Sequence, residues 1–130
     1  MWRIASGVIL LAFATGLVAG CAATTGAVGP IPSAPPGGIV VTADDIAFDR
    51  PRLEVPAGRP FPLLFQNRES TPHNITIFDQ ADGQTLFVGE TFGGPDVRTY
   101  DVAAIPAGTY GFRCDVHSEM SGTLIAVAGD

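Results

Sequence analysis

The 130-residue chain has no lysine, two cysteines, two histidines, two methionines and one tryptophan. Its only basic side chains are 7 arginines against 13 acids, for a formal net charge of −6. That balance leaves no basic groove for nucleic acid. It favours solubility and basic partners, and says little more about function. Helical periodicity is missing throughout, and no internal repeat is visible. The length suits one domain and little more.

A membrane-spanning run is also missing. MWR carries one positive charge, and IASGVILLAFATGLVAG follows without an acid. This stretch falls short of the roughly 20 strongly apolar residues a span needs. It breaks up into Gly and Ala as the cleavage end of an export signal does. Residues 1–20 are therefore expected to be a signal peptide. VAGC, ending at Cys21, resembles a bacterial lipobox, in which the cysteine is lipidated and becomes the first mature residue. An ordinary cleaved signal with a spare thiol at Cys21 is the plainer alternative. Residues 22–38, AATTGAVGPIPSAPPGG, are small, uncharged and rich in Pro and Gly, so they cannot build a core. They read as a tether of up to roughly 50 Å when extended. Together with Cys21 they form a linker over 21–38, and the folded domain is assigned to 39–130. Without Arg3 the mature chain carries 6 basic and 13 acidic residues, a net charge of −7.

What the domain does contain is strand. Runs at 39–43, 52–58, 61–67, 73–79, 85–91, 97–102, 109–114 and 122–127 are β-branched, aromatic or alternating, and Gly, Pro, Asn and Asp separate them. Asp82-Gly83 marks a hairpin. About eight short strands predict an all-β, Greek-key β-sandwich or barrel. Phe48, Phe61, Phe65, Phe78, Phe87, Phe92, Tyr100, Tyr110 and Phe112 are available to fill its core.

The scarce residues are not scattered. CDVHSEM places Cys114, His117 and Met120 at intervals of three, between the strands TYGFRC and GTLIAV. Thiolate, imidazole and thioether can turn toward one point in so short a loop. The remaining histidine, His73, starts the strand HNITIFD, and strand ends distant in sequence can meet at one pole of a sandwich. A thiolate, two imidazoles and a weak axial thioether form the ligand set of a blue-copper electron-transfer site. Plainer readings exist for each residue alone: a buried structural thiol, a loop histidine, a core methionine. A disulfide to Cys21 would have to cross the linker. Zinc could take the same Cys and His, although Met suits it poorly. A Cys–His nucleophile lacks a visible orienting group.

Residues 41–58, PHNITIFD and GTYGFRCDVHSEMSGTLIAV together resemble the cupredoxins, the small blue-copper family that includes plastocyanin and amicyanin. The C-x-x-H-x-x-M spacing is similar to the short ligand loop of amicyanin. The resemblance implies His73, Cys114 and His117 as equatorial ligands of one copper ion and Met120 as the axial one. It implies that Asn74 hydrogen-bonds across to the cysteine loop. It also implies electron exchange through a surface-facing His117 in an apolar patch, with Pro72 a candidate member. Two positions depart from the family pattern. Ser118 stands where many relatives have Pro, which frees the loop. Asp115 stands where many have Ser or Thr, and its carboxylate is expected to favour Cu(II).

The expected function is single-electron transfer without enzymatic activity, between unidentified redox partner proteins. The expected setting is a monomer held extracytoplasmically to a bacterial membrane through Cys21. A copper carrier that delivers metal to another cuproprotein is the alternative, and a metal-free adhesion sandwich is a third. Asn74-Ile75-Thr76 fits a glycosylation acceptor, but it adjoins a ligand in a chain with a bacterial signal. Asp44, Asp45 and Asp49 lack calcium-loop spacing and read as solvated turn residues.

Overall fold

The computed structural model describes Pro30 and residues 32–129. The expectations for the signal, for Cys21 and for most of the linker lie outside those residues. Among the described residues there are nine strands and no helix: β1 (Ile39–Asp44), β2 (Ala47–Phe48), β3 (Arg52–Pro56), β4 (Phe61–Asn67), β5 (Thr76–Asp79), β6 (Thr85–Val88), β7 (Asp96–Val102), β8 (Gly108–Arg113) and β9 (Ser121–Val127). They form two facing sheets, β2-β1-β4-β7 and β3-β9-β8-β5-β6. The all-β sandwich expected from the sequence is what forms. The strand beyond the expected set is β2, two residues long and too short to leave a periodic signal.

The alternation in β4 explains the packing. Phe61, Leu63 and Phe65 point into the core, where they meet Val41 and Ala43 of β1 and Phe112 and Leu124 of the facing sheet. Of the expected core aromatics, Phe61, Phe65, Phe92, Tyr110 and Phe112 are buried, and Phe48, Phe87 and Tyr100 pack against them partly covered. Phe78 corrects the expectation. Ile77 is fully buried, so strand alternation puts Phe78 on the outer face of β5. It lies there across Gly111, with the Arg113 guanidinium 4.8 Å from its ring centroid. A Cβ on Gly111 would stand 2.2 Å from Phe78 Cζ, so only glycine allows that approach.

Strand direction sets one pole apart. Parallel β1 and β4 end together, with Ala43 beside Asn67, and β7 starts there with Asp96. In the other sheet β8 ends at Arg113, paired with Thr76 and Ser121. The sequence predicts a strand from His73, but residues 73–75 lie outside β5. His73 instead makes an isolated bridge with Phe92, which fixes the histidine at this pole without a full ladder. Asp44, the last residue of β1, Asp45 in the turn after it, and Asp49 are all exposed. Asp49 Oδ1 also accepts from Thr42 N at 2.8 Å.

Candidate metal centre

The loop before His73 is organised by a buried asparagine. Asn67 Nδ2 donates to the carbonyls of Thr71 and Phe92, both at 2.8 Å. Its Oδ1 accepts from Glu69 N at 3.0 Å. Gly94 N donates to Glu69 O at 2.7 Å, and a Cβ there would come within 2.1 Å of Asn67 O, so the loop closes only around glycine. These bonds tie the segment 67–73 to the strand-like stretch around Phe92. The result is a fully buried His73 ring.

The second loop is short because the ladder almost closes it. Cys114 N donates to Met120 O at 2.9 Å and Met120 N to His117 O at 3.0 Å. Cys114 and Met120 are buried, His117 is half-buried, and Asp115, Val116, Ser118 and Glu119 are exposed. Pro72 is exposed beside the pole.

The two loops bring His73, Cys114 and His117 together. The Nδ1 atoms of the histidines are 3.1 Å apart, and Cys114 Sγ lies 3.8 Å from one and 3.9 Å from the other. A triangle with those sides has a centre about 2.1 Å from each corner, close to the roughly 2.0–2.1 Å and 2.3 Å bonds a metal such as zinc makes to imidazole and thiolate. Two nitrogens so close, with a sulfur completing the triangle, suit a shared soft cation. The donor set, thiolate and imidazole with a buried thioether residue in the same loop, suits copper better than zinc.

Glu69 decides how His73 presents itself, and sequence reasoning missed it. Its Oε1 lies 2.8 Å from His73 Nε2 and accepts from Ile46 N at 2.8 Å. An ionised carboxylate only accepts, so Nε2 carries the proton and Nδ1 keeps its lone pair for a metal. The Ile46 N–H, followed by His73, holds the Glu69 carboxyl below its ordinary range. The signal for Glu69 is faint: a carboxylate four residues before a histidine, in a loop without periodicity. Replacing Glu69 by Ala is expected to weaken copper binding by about 10–100-fold in chelator competition. Glu69→Gln should recover part of the loss, because its amide oxygen still accepts from Nε2.

Glu69 also reaches a strained turn. Asp45 and Ile46 both have positive φ, 53° and 54°, and a β-branched residue is costly there. Ile46→Gly is expected to raise stability by roughly 1 kcal/mol in denaturant unfolding, with the Ile46 N–H bond to Glu69 kept.

A clasp joins the two loops on the other side. Asn74 Oδ1 accepts from Asp115 N at 2.8 Å, and Asn74 Nδ2 donates to Asp115 Oδ2 at 2.9 Å. Thr76 Oγ1 donates to the same Oδ2 at 2.6 Å, and Arg113 Nε to Oδ1 at 3.1 Å. The Thr76 hydroxyl, with Asn74 and Arg113 behind it, keeps the Asp115 carboxyl below its usual range despite partial burial.

Known proteins share both pattern and fold. Residues 8–126 match the family model described as a cupredoxin-like domain. Amicyanin-alpha of Methylorubrum extorquens is 31% identical over 121 residues, covering 88% of this chain and 96% of that protein. Amicyanin of Paracoccus denitrificans is 30% identical over 89 residues, covering 68% and 65%. Among solved structures, dithionite-reduced auracyanin from Roseiflexus castenholzii superposes with a TM-score of 0.63 at 20% identity, over 73% of this chain and 99% of that one. A reduced amicyanin variant gives 0.55 at 27% identity, over 70% and 83%. With a two-sheet sandwich, a His–Cys–His triangle at one pole and a family match along most of its length, the chain belongs to the cupredoxin family of blue copper proteins.

Proposed function

We propose that the chain is a single-electron carrier whose copper ion is held by His73, Cys114 and His117, with Met120 as a weak axial ligand. The convergence of two imidazole nitrogens and a thiolate sulfur on one point carries this reading. Copper bound there supplies a one-electron Cu(II)/Cu(I) couple.

The protein's part is to hold the donors still. His73 is buried and oriented by Glu69, Cys114 is pinned through its backbone, and the Asn74–Asp115 clasp ties one loop to the other. Donors that barely move when the charge changes keep the reorganisation cost small. Four protein ligands leave no open position for a substrate, which fits a carrier and not an enzyme. His117, half-buried where His73 and Cys114 are covered, is the ligand nearest a partner's surface. The Asp115 carboxylate beside the site favours the more highly charged Cu(II), so Asp115→Thr is expected to raise the reduction potential.

The domain 39–130 works outside the cytoplasm as a monomer, exchanging electrons with a donor and an acceptor protein. Residues 1–20 direct export, and lipidated Cys21 with the rest of 21–38 holds the domain at a membrane. The test is a Cu(II) titration followed in the visible range. The expected result is an intense blue band that ascorbate bleaches and reoxidation restores. A pale product, or Cu(I) surrendered at once to a chelator, would overturn electron transfer and turn attention to copper delivery.

A further inference from the structure

Cys114, His117 and Met120 share one short loop that closes on itself, but His73 stands apart from them. It precedes β5 without joining its ladder, and an isolated bridge holds its backbone. His73 N donates to Phe92 O and Phe92 N donates to His73 O, both at 3.1 Å. Asn67 Nδ2 donates to the same Phe92 O at 2.8 Å. The place of the buried histidine therefore depends on what holds Phe92.

Phe92 belongs to no strand. It lies in the connection between β6 and β7, buried itself while Glu90, Thr91 and Gly93 around it are exposed. Its ring meets the core residue Phe65 edge-on, with centroids 5.6 Å apart. Its other notable neighbour is a charge: the Arg98 guanidinium lies over the ring, 4.5 Å from the centroid.

Arg98 stands where the strand pattern favours an apolar residue. In the β4–β7 register it is opposite Phe65, and Val97, Thr99 and Asp101 form the exposed row of β7. Alternation puts Arg98 in the inner row with Tyr100 and Val102, at the edge of its sheet. There its guanidinium ties the two ends of the β6–β7 connection together. Nε donates to Glu90 Oε2 at 3.2 Å, and Nη1 donates to Asp96 Oδ2 and, at 3.2 Å, to Val97 O. The Tyr100 hydroxyl accepts from Glu90 N at 3.0 Å. A planar guanidinium can cover an aromatic ring and hydrogen-bond from its edge at the same time, which a lysine ammonium cannot do. Ion pairs this open to solvent add little to global stability, so the arrangement suits a local task.

We infer that Arg98 is a positioning residue for His73, acting through Phe92. The guanidinium closes the β6–β7 connection over the Phe92 ring. Phe92 then holds the His73 backbone by two hydrogen bonds, and the imidazole keeps its place against Cys114 and His117. The inference rests on the reading of His73 as a copper ligand in the proposed carrier. Loss of the guanidinium leaves the ladders of both sheets in place and frees the connection, so the expected effect is local opening around His73.

Amide hydrogen exchange on the full metal-free chain tests the support without copper. In Arg98→Ala the His73 and Phe92 amides are expected to exchange about 10-fold faster, while the amides of β8 and β9 keep their rates. The copper-loaded variant should lose its metal to a chelator about 10-fold faster than the unaltered chain. Arg98→Lys, which keeps the cation and loses the planar fork, should fall between the two in both measurements. Unchanged His73 and Phe92 amides, or faster exchange throughout the domain, would overturn the assignment and leave Arg98 as an inward-pointing charge that guards an edge strand. Faster amides with unchanged copper loss would also overturn it, because the support would then stop short of the metal. Failure of the unaltered chain to bind copper would instead overturn the carrier reading on which the inference rests.

Discussion

Cys114→Ser is expected to remove the blue absorption band completely while leaving the sandwich folded. The band requires a thiolate bonded to Cu(II), and Cys114 is the one cysteine of the described domain. Serine has nearly the same shape, and its hydroxyl would sit among groups that can hydrogen-bond to it. Cys114 Sγ lies 3.8 Å from His73 Nδ1 and 3.9 Å from His117 Nδ1. The cost to the metal-free fold is therefore expected to be within about 1 kcal/mol. Copper affinity should fall steeply, because the softest donor and the only thiolate are lost together. The measurement is a visible spectrum beside a denaturant curve on the same sample. A variant that keeps the band would remove Cys114 from the site. A variant that loses both band and fold would make Cys114 a structural residue, and the metal assignment would lose its central support.

Much of this was legible because the chain spends its rare residues in one place. C-x-x-H-x-x-M is readable as chemistry from spacing alone, since a short loop between adjacent strands cannot spread its side chains far. β4 was readable to the residue, Phe61–Asn67, because inward apolar positions alternate until Asn67 ends them. The sequence was silent where position depends on bonds across the fold. Glu69 meets His73 only because Asn67 and Gly94 fix the intervening loop. Phe78 followed the alternation of its strand correctly, yet the outer face is as welcoming to an aromatic ring as the core when a glycine lies opposite. Val40 and Leu64 are as apolar as Val41 and Leu63, and only the strand register separates the two faces.

Asn74→Ala is expected to be the most damaging change that leaves every donor of the triangle in place. Asn74 is buried, and its side chain both accepts from the Asp115 backbone and donates to the Asp115 carboxylate. Its amide also reaches Gly89 O at 3.3 Å. Truncation strands an N–H, a carbonyl and part of a carboxylate, for a loss of about 3 kcal/mol. In a domain of this size that lowers the melting temperature by roughly 10–20 °C. The copper loop, freed from β5, should also bind metal more weakly. Asp115→Ala alone should cost less, because Asp115 is exposed on its other side. The double variant should show a coupling of about 1–3 kcal/mol. Protonation supplies an independent reading of the same clasp. The Asp115 carboxyl is held below its ordinary value of 3.8, first by the Thr76 hydroxyl. A depressed carboxylate contributes stability above its unfolded pKa and loses it as pH falls through the folded value. The advantage of Asp115 over Asp115→Asn should therefore be full at neutral pH and fade as pH falls below the ordinary carboxyl value. Additive energies in the double variant, with no change in acid unfolding for Asp115→Asn, would reduce the clasp to a surface contact. The loop geometry would then have to come from the Cys114–Met120 backbone bond alone.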